Sequence, residues 1–515
     1  MNILFCTSEA YPLIKTGGLA DVSGSLPKAL CELGNDVRII LPAYPEALQH
    51  SVGLSPVAEL TLIGATEPVE ILAGSLSGSD VGLYMVNSPA HFRRPGNPYI
   101  QDDGSDWPDN AERFALFARA IVALALGQAD TGWRPELVHC NDWQTGLVPA
   151  LLSQHKVRPA TLFSIHNLSY QGLFSAKTFT ALKLPDSLWS IDGLEFHNKL
   201  SFIKGGIACA DQVTTVSPGY AKEICSSTYG YGLEGLLQYR SASLTGILNG
   251  MDSDTWNPAT DSFIERTYNV HHLQHKVANK LALQRDHGLP QGSQPLLLGY
   301  IGRLVEQKGV DLILDMLDAL FQHPVQLVLL GNGDRALEKR LEEAAQRYPD
   351  QLSVHVGYNE RLAHRIEAGA DCLLMPSRYE PCGLNQMYSL AYGTVPIVHR
   401  TGGLADTVVD LNETTARDYS ATGFSYDDET PEAVLDACVR ALSYFQTSRI
   451  NWWKLVITGM KKDFSWPASA ARYLELYQRM CGLSEDSARE NSQLESLPHG
   501  AVLLDTAAQQ ETRIH

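Results

Sequence analysis

The hexapeptide Thr-Gly-Gly-Leu-Ala-Asp occurs twice in this chain, at 16–21 and again at 401–406. Each copy lies downstream of an apolar run, Ile3-Leu4-Phe5-Cys6 for the first and Val395 to Val398 for the second. Each has a basic residue in front, Lys15 or Arg400. The first copy opens a helical pattern of Leu19, Val22, Leu26 and Leu30. Adjacent glycines at a strand-to-helix junction let backbone approach a ligand closely, and the start of a helix offers free N–H groups to an anion. A lysine beside them adds a mobile charge suited to phosphate. A chain that carries strand, glycine loop and helix at both ends is confined to folds built from parallel strands and crossover helices.

The rest of the chain follows that alternation. The first half predicts strands at Ile3–Cys6, Val37–Leu41, Val81–Val86, Leu137–Cys140, Thr161–Ile165 and Gln212–Val216, with helical segments at Asn110–Leu126 and Thr145–Gln154 between them. Turn residues cluster at Asn249-Gly250-Met251-Asp252 and Asn257-Pro258, where a domain boundary is expected. The alternation then restarts. Strands are predicted at Leu296–Ile301, Val325–Leu330, Leu352–Val356, Cys372–Met375 and Val395–Val398, and helices at Val310–Leu320 and Arg335–Arg347. A last amphipathic helix spans Ala468–Met480, and the polar, aperiodic residues 482–515 read as a mobile tail. The fold class is α/β, with two open parallel sheets facing a cleft and both glycine loops at carboxyl ends of strands.

Composition narrows the function. A length of 515 residues favours two or three domains. A formal charge of −18 argues against nucleic acid or an anionic membrane as partner. A chain this acidic that handles phosphate must gather its positive charge locally, so cations beside glycine loops are informative. Nine scattered cysteines without a Cys-x-x-Cys pair read as reduced thiols in a cytoplasmic protein. The N-terminus has no signal-peptide pattern, and the most apolar run, Ala118 to Leu126, is too short to cross a bilayer. His271 and His275 lack a third ligand at metal spacing, and the acidic runs at Asp102-Asp103 and Asp427-Asp428-Glu429 read as exposed loops, so no metal is expected. Neither a Gly-x-Ser-x-Gly elbow nor a phosphate-binding Gly-Lys-Ser/Thr loop is present.

Several strand ends carry candidate chemistry. Gly302-Arg303 follows Leu298–Ile301, and Lys308 comes five residues later. The two cations suit a diphosphate, although taken alone they read first as a surface turn with two solvated charges. Gly331-Asn332-Gly333 is ordinary loop chemistry taken alone. In Tyr379-Glu380-Pro381-Cys382-Gly383-Leu384, the Glu380 carboxylate can hold sugar hydroxyls while the following amides face a phosphate, or it can cap a helix. Asp142-Trp143 and His166-Asn167 end apolar strands in the manner of a carbohydrate subsite, although a single histidine there can be purely structural.

Together these motifs resemble the bacterial glycogen synthases and plant starch synthases. The resemblance spans about 1–480 and rests on Lys15–Val22, Asp142-Trp143, His166–Gly172, Val216-Ser217-Pro218, Leu248-Asn249-Gly250, Arg303 with Lys308, Glu380–Leu384 and Arg400–Thr407. It implies the two-Rossmann architecture called GT-B, with a glucan-acceptor domain at 1–250, a nucleotide-sugar domain at 251–465, a crossover helix at 466–481 that returns to the first domain, and the tail at 482–515. It implies retaining transfer of glucose from ADP-glucose to the non-reducing end of an α-1,4-glucan, with no cofactor and no metal. By the same resemblance Glu380, His166, Arg303 and Lys308 are catalytic. Lys15, Gly18, Asp142, Asn249, Tyr358, Cys382, Gly383 and Leu384 bind substrate, with Tyr358 stacking on adenine. Alternatives are a UDP-glucose donor, a maltose-1-phosphate acceptor, or a silent glucan-binding homologue. The chain departs from the family pattern at Gln144, where close relatives carry His, and at Asn385 and Ala391, where some relatives carry Thr and Lys. At Tyr388 it follows the glycogen synthase branch, while the broader GT-B pattern has a second glutamate.

Overall fold

A computed structural model describes residues 1–101 and 103–483. Asp102 and almost all of the expected tail, 484–515, lie outside the described residues. The first half forms a nine-stranded sheet in the order Leu244–Gly246, Gln212–Thr215, Ala160–Ile165, Leu137–Asn141, Asn2–Cys6, Asp36–Pro42, Gly82–Asn87, Val69–Ser75, Val52–Leu60. The first seven of these run parallel. Val69–Ser75 is antiparallel to both neighbours, a departure from the all-parallel expectation. The link from Val52–Leu60 is too short for a parallel return, which needs a crossover of about a dozen residues or more. Val52–Leu60 is also largely exposed and contains Gly53 and Pro56, so its sequence carries little of the apolar run that marks a buried strand.

The second half forms six parallel strands in the order Leu352–Val356, Val325–Gly331, Leu296–Ile301, Cys372–Met375, Val395–His399, Phe424–Tyr426. Numbered along the chain this is 3-2-1-4-5-6, the doubly wound order, and the parallel part of the first sheet follows the same scheme. Such strands are buried on both faces and read as continuous apolar runs, as in Leu327-Val328-Leu329-Leu330. Each sheet therefore reverses its winding at one point. In the first it lies between Asn2–Cys6 and Leu137–Asn141, and in the second between Leu296–Ile301 and Cys372–Met375. Ligands of open α/β sheets bind in the crevice outside the strand ends at that reversal.

The chain passes between the halves twice, side by side. Met251 N–H donates to Phe464 O at 2.8 Å, and Met251 bridges Ser465. A Cβ on Gly250 would stand 2.6 Å from Trp466 Cα, so only glycine lets the two passages touch. The helix Trp466–Met480 then returns to the first half. Its stripe of Trp466, Ala470, Tyr473, Leu476 and Tyr477 enters that half's core. The buried Tyr477 hydroxyl bonds His139 Nδ1 at 2.8 Å, and His139 Nε2 bonds Ser164 Oγ at 2.6 Å. Tyr477→Phe leaves a buried ring nitrogen without a partner, which costs about 1–3 kcal/mol. Scanning calorimetry should then record a melting temperature lower by several degrees, at about 2–4 °C per kcal/mol for a domain of this size. An unchanged melting temperature would remove this contact from the docking of the crossover helix.

Candidate active site

The loops that leave the two reversal points carry most of the residues singled out by sequence. In the second half, the turn Glu306–Lys308 ends at Gly309, whose φ of +67° is easy only for glycine. A Cβ there would be 2.0 Å from Pro376 O. Glycine therefore lets the loop after Leu296–Ile301 lie directly on the loop after Cys372–Met375. Arg378 N–H donates to Gln307 O at 2.8 Å, and Gln307 Nε2 to Tyr379 O at 3.2 Å. This close contact delivers Lys308 Nζ to the buried Glu380 carboxylate, where it donates to Oε2. Ser377 Oγ donates to the same oxygen at 3.1 Å. Arg303 projects outward alongside, its Nη2 donating to Gln307 Oε1 at 3.2 Å. Glu380 is thus no helix cap: the next helix begins at Asn385, and its capping position is Leu384.

In the first half, Asp142 follows Leu137–Asn141 with a φ of 55°. Its Oδ1 accepts from the backbone N–H groups of His166 at 2.8 Å and Asn167 at 3.4 Å. Burial outweighs these bonds and pushes the Asp142 carboxyl up to about 7. The same burial lowers His166 to about 4, so its imidazole is neutral. Asn141 spends its Nδ2 on Cys6 O at 2.9 Å, so its Oδ1 accepts from His166 Nε2–H at 2.9 Å. That bond fixes the tautomer and leaves Nδ1 as the bare nitrogen.

The glycine loops depart from expectation. Backbone N–H groups at the second helix start, and just before the first, are held by the protein's own carboxylates. In the first copy Glu9 Oε2 accepts from Thr16 N–H, from Thr16 Oγ1 at 2.8 Å and from Gly17 N–H at 3.3 Å. In the second, Glu223 Oε1 accepts from Gly402 N–H at 2.6 Å and Thr401 Oγ1 at 3.0 Å. The copies also differ in surroundings. A Cβ on Gly17 or Gly18 would meet nothing within 4 Å, whereas one on Gly402 or Gly403 would strike Glu380 O at 2.1 Å or Cys382 O at 2.0 Å. The first loop is open and the second is a buttress. They also follow topologically different strands, the first and the fifth of their sheets. Lys15 pairs with Asp21 within its own loop, at 2.8 Å.

The remaining candidates surround these groups. Cys382 is buried, its thiol pushed up to about 12 and partly offset by the Asn249 backbone N–H directed at it, so the thiol stays protonated. Asn249 is itself buried, and its Oδ1 has no hydrogen-bond partner among the described residues. Gly383 adopts φ +71° against the Gln386 amide. Tyr358 is 76% exposed, its hydroxyl on Glu360. Asp21 and Tyr11 of the opposite half lie near enough to raise that hydroxyl's pKa further. Tyr388, at the position of the second glutamate of the broader pattern, is buried and stacks on Trp256 at 4.0 Å and 4°. Asn385 donates to Ile301 O at 2.8 Å. The sequence gives Glu9 and Glu223 no place among the site candidates, and it marks Asp406 only as the end of the repeated motif. The available signal was a carboxylate seven residues before Thr16, just past its strand, and one closing the short helix opened by Ser217-Pro218.

Comparison with known proteins bears on this arrangement. Residues 2–239 match the family model for the starch synthase catalytic domain, and 284–444 that for glycosyl transferases group 1. Glycogen synthase 2 of Nitrosococcus oceani is 53% identical over 490 residues, covering 95% of this chain and 99% of its own. The glycogen synthase of Thioalkalivibrio sulfidiphilus is 53% identical over 480 residues, 93% of this chain and 99% of its own. The solved catalytic domain of starch synthase IV from Arabidopsis thaliana, bound to ADP and acarbose, superposes with a TM-score of 0.83 at 34% identity, covering 93% of this chain and 99% of that one. Sucrose-phosphate synthase from Thermosynechococcus elongatus, at 19% identity and a TM-score of 0.58, shares the fold.

The Asp142 environment has a signature in stability. The folded protein holds that proton up to about pH 7, whereas the unfolded chain releases it near the ordinary carboxylate value of about 4. This contribution to stability is complete below about pH 4 and is lost as pH rises through about 7. Asp142→Asn keeps an acceptor and abolishes the titration. Urea unfolding at about pH 5 and about pH 8 should give a smaller fall in stability for the variant than for the wild type. Equal falls would place the Asp142 titration outside this window.

Proposed function

The chain belongs to the glycogen synthase family, the glucosyltransferases of glycogen biosynthesis, and from that premise we propose that it uses ADP-glucose to extend α-1,4-glucan, including maltooligosaccharides, with retention and release of ADP. One observation carries the reading. Lys308 pairs with Glu380 at the reversal point of the second sheet, and Arg303 stands on the same loop as Lys308 with its side chain on Gln307, an arrangement that supports two phosphate cations beside a carboxylate for sugar hydroxyls. The ADP held by the starch synthase IV structure supports the nucleotide.

In this mechanism the catalytic residues are Glu380, His166, Arg303 and Lys308. Arg303 and Lys308 neutralise the diphosphate and stabilise departing ADP, which is electrostatic work directed at charge that develops in the transition state. Glu380, released from Lys308 as the phosphates arrive, takes the glucose hydroxyls and orients the oxocarbenium-like carbon. The bond from C1 to phosphate oxygen breaks, the bond from C1 to the acceptor 4-oxygen forms on the same face, and the leaving phosphate accepts the acceptor's proton. No second carboxylate is required, unlike in retaining glycosidases. Neutral His166, oriented by Asn141 and backed by Asp142, lies beside the glucosyl unit, and Asn249 supplies an unsatisfied acceptor to the same pocket. The amides of Cys382, Gly383 and Leu384 face the glucose or distal phosphate. Exposed Tyr358 stacks on adenine, and Lys15 with Gly18 reaches the donor from the opposite half when the cleft closes, Lys15 leaving Asp21. We take 1–250 and 251–465 as the working domains, supported by the separate sheets. A cytoplasmic setting fits nine unpaired thiols, and no helix among the described residues is long and apolar enough to cross a membrane.

The test is transfer of radiolabelled glucose onto glycogen from ADP-glucose and UDP-glucose, by the wild type and by Glu380→Ala. Preferential incorporation from ADP-glucose is expected, with the variant losing about 10²-fold or more in kcat while donor affinity changes far less. No incorporation from either donor would favour a glucan-binding protein instead. Equal losses in kcat and affinity would remove Glu380 from the reacting centre.

A further inference from the structure

Two short helices, one from each half, hold each other by exchanged carboxylates. Pro218–Glu223 follows the strand Gln212–Thr215, and Gly402–Thr407 follows Val395–His399. Glu223, closing the first helix, accepts from Gly402 N–H at the start of the second, at 2.6 Å. Asp406, near the end of the second, accepts from Gly219 N–H at the start of the first, also at 2.6 Å. The contact is too close for any Cβ, since one on Gly219 would lie 2.6 Å from Gly402 O.

The clasp encloses the backbone of the sugar-binding loop. On one side Gly403 N–H donates to Glu380 O at 3.0 Å, and Gly402 and Gly403 lie against Glu380 O and Cys382 O. On the other, Ser217 Oγ donates to Pro381 O at 2.7 Å while accepting from Tyr220 N–H at 3.0 Å. The main chain at 380–382 is therefore set by groups from both halves, and side-chain partners from the second half, Lys308 and Ser377, act only on the carboxylate. Glu223 touches neither of those partners. Its second oxygen is buried with no hydrogen-bond partner among the described residues, so its hold on Gly402 and Thr401 accounts for its bonding.

We propose that Glu223 and Asp406 are positioning residues for Glu380, forming a reciprocal clasp across the two halves that fixes where the sugar-binding carboxylate stands. This rests on the role given to Glu380 above. A shift of about 1 Å in a reacting group can cost about 10²-fold in rate, which sets the scale of the effect. Glu223→Ala should lower kcat by about tenfold to a hundredfold with little change in the donor KM. Glu223→Gln keeps the accepting Oε1 and should restore most of the rate.

The deciding experiment places Glu223→Ala in both the wild-type and Glu380→Ala backgrounds and measures kcat for transfer to glycogen. Residues acting through one another are non-additive, so Glu223→Ala should add no further loss once Glu380 is gone. The same fractional loss in both backgrounds would overturn the inference and leave the role of Glu380 intact. A Glu223→Gln enzyme as slow as the alanine variant would also overturn it. Undiminished kcat in Glu380→Ala alone would overturn the role of Glu380 and the inference with it. Asp406 is exposed, so Asp406→Ala keeps the test open should Glu223→Ala fail to fold. It should show the same background dependence, and its absence counts against the clasp.

Discussion

A carboxylate buried at the edge of a cleft demands a cation, and the contact between Glu380 and Lys308 is the constraint around which the second half is arranged. Leaving one charge of such a pair buried alone costs about 3–5 kcal/mol. The loops after Leu296–Ile301 and Cys372–Met375 must therefore meet, and Gly309 is what permits it. In the proposed mechanism the same pairing prepares the site for its substrate. Lys308 is a point charge that can transfer from a carboxylate to a phosphate, and Glu380 is then free for hydroxyls. Lys15 waits in the same way on Asp21. In a chain of charge −18, each of these two lysines is held in place against a local carboxylate.

The repeated glycine motif shows how one local solution serves two purposes. Both loops bind a glutamate through backbone N–H groups, just before the helix in the first copy and at its first residue in the second. In the first the glutamate, Glu9, belongs to the same half, and Gly17 and Gly18 stay open. In the second the glutamate, Glu223, comes from the other half, and Gly402 and Gly403 are buried beneath the loop that carries Glu380. The motif is thus an adaptable seat for a carboxylate, and its function depends on what lies over the glycines.

Much of the fold was legible because doubly wound sheets bury their strands on both faces. Apolar runs such as Val325–Gly331 and Cys372–Met375 are hard to read otherwise, and helices such as Val310–Leu320 and Arg335–Arg347 carry clear periodicity. The antiparallel hairpin at Val52–Ser75 was hidden because one of its strands is mostly exposed at a sheet edge. In the site, residues with a glycine or proline beside them, such as Arg303 and Glu380, stood out. Glu9 and Glu223 did not, and Asp406 stood out only as the end of the repeated motif, because their partners are backbone amides brought near only by folding. Tyr388 could be marked as a departure from the broader pattern, but its stacking on Trp256 depends on a residue far away in sequence.

In the proposed mechanism Lys308 is stored on Glu380 and released to phosphate. Calorimetric titration of ADP, which has no glucose to lose, isolates that exchange. If the claim holds, Glu380→Ala binds ADP at least as tightly as the wild type, because its Lys308 no longer has to leave a carboxylate. If Glu380→Ala instead binds ADP as weakly as Lys308→Ala does, the pair is not a store of charge for the phosphates.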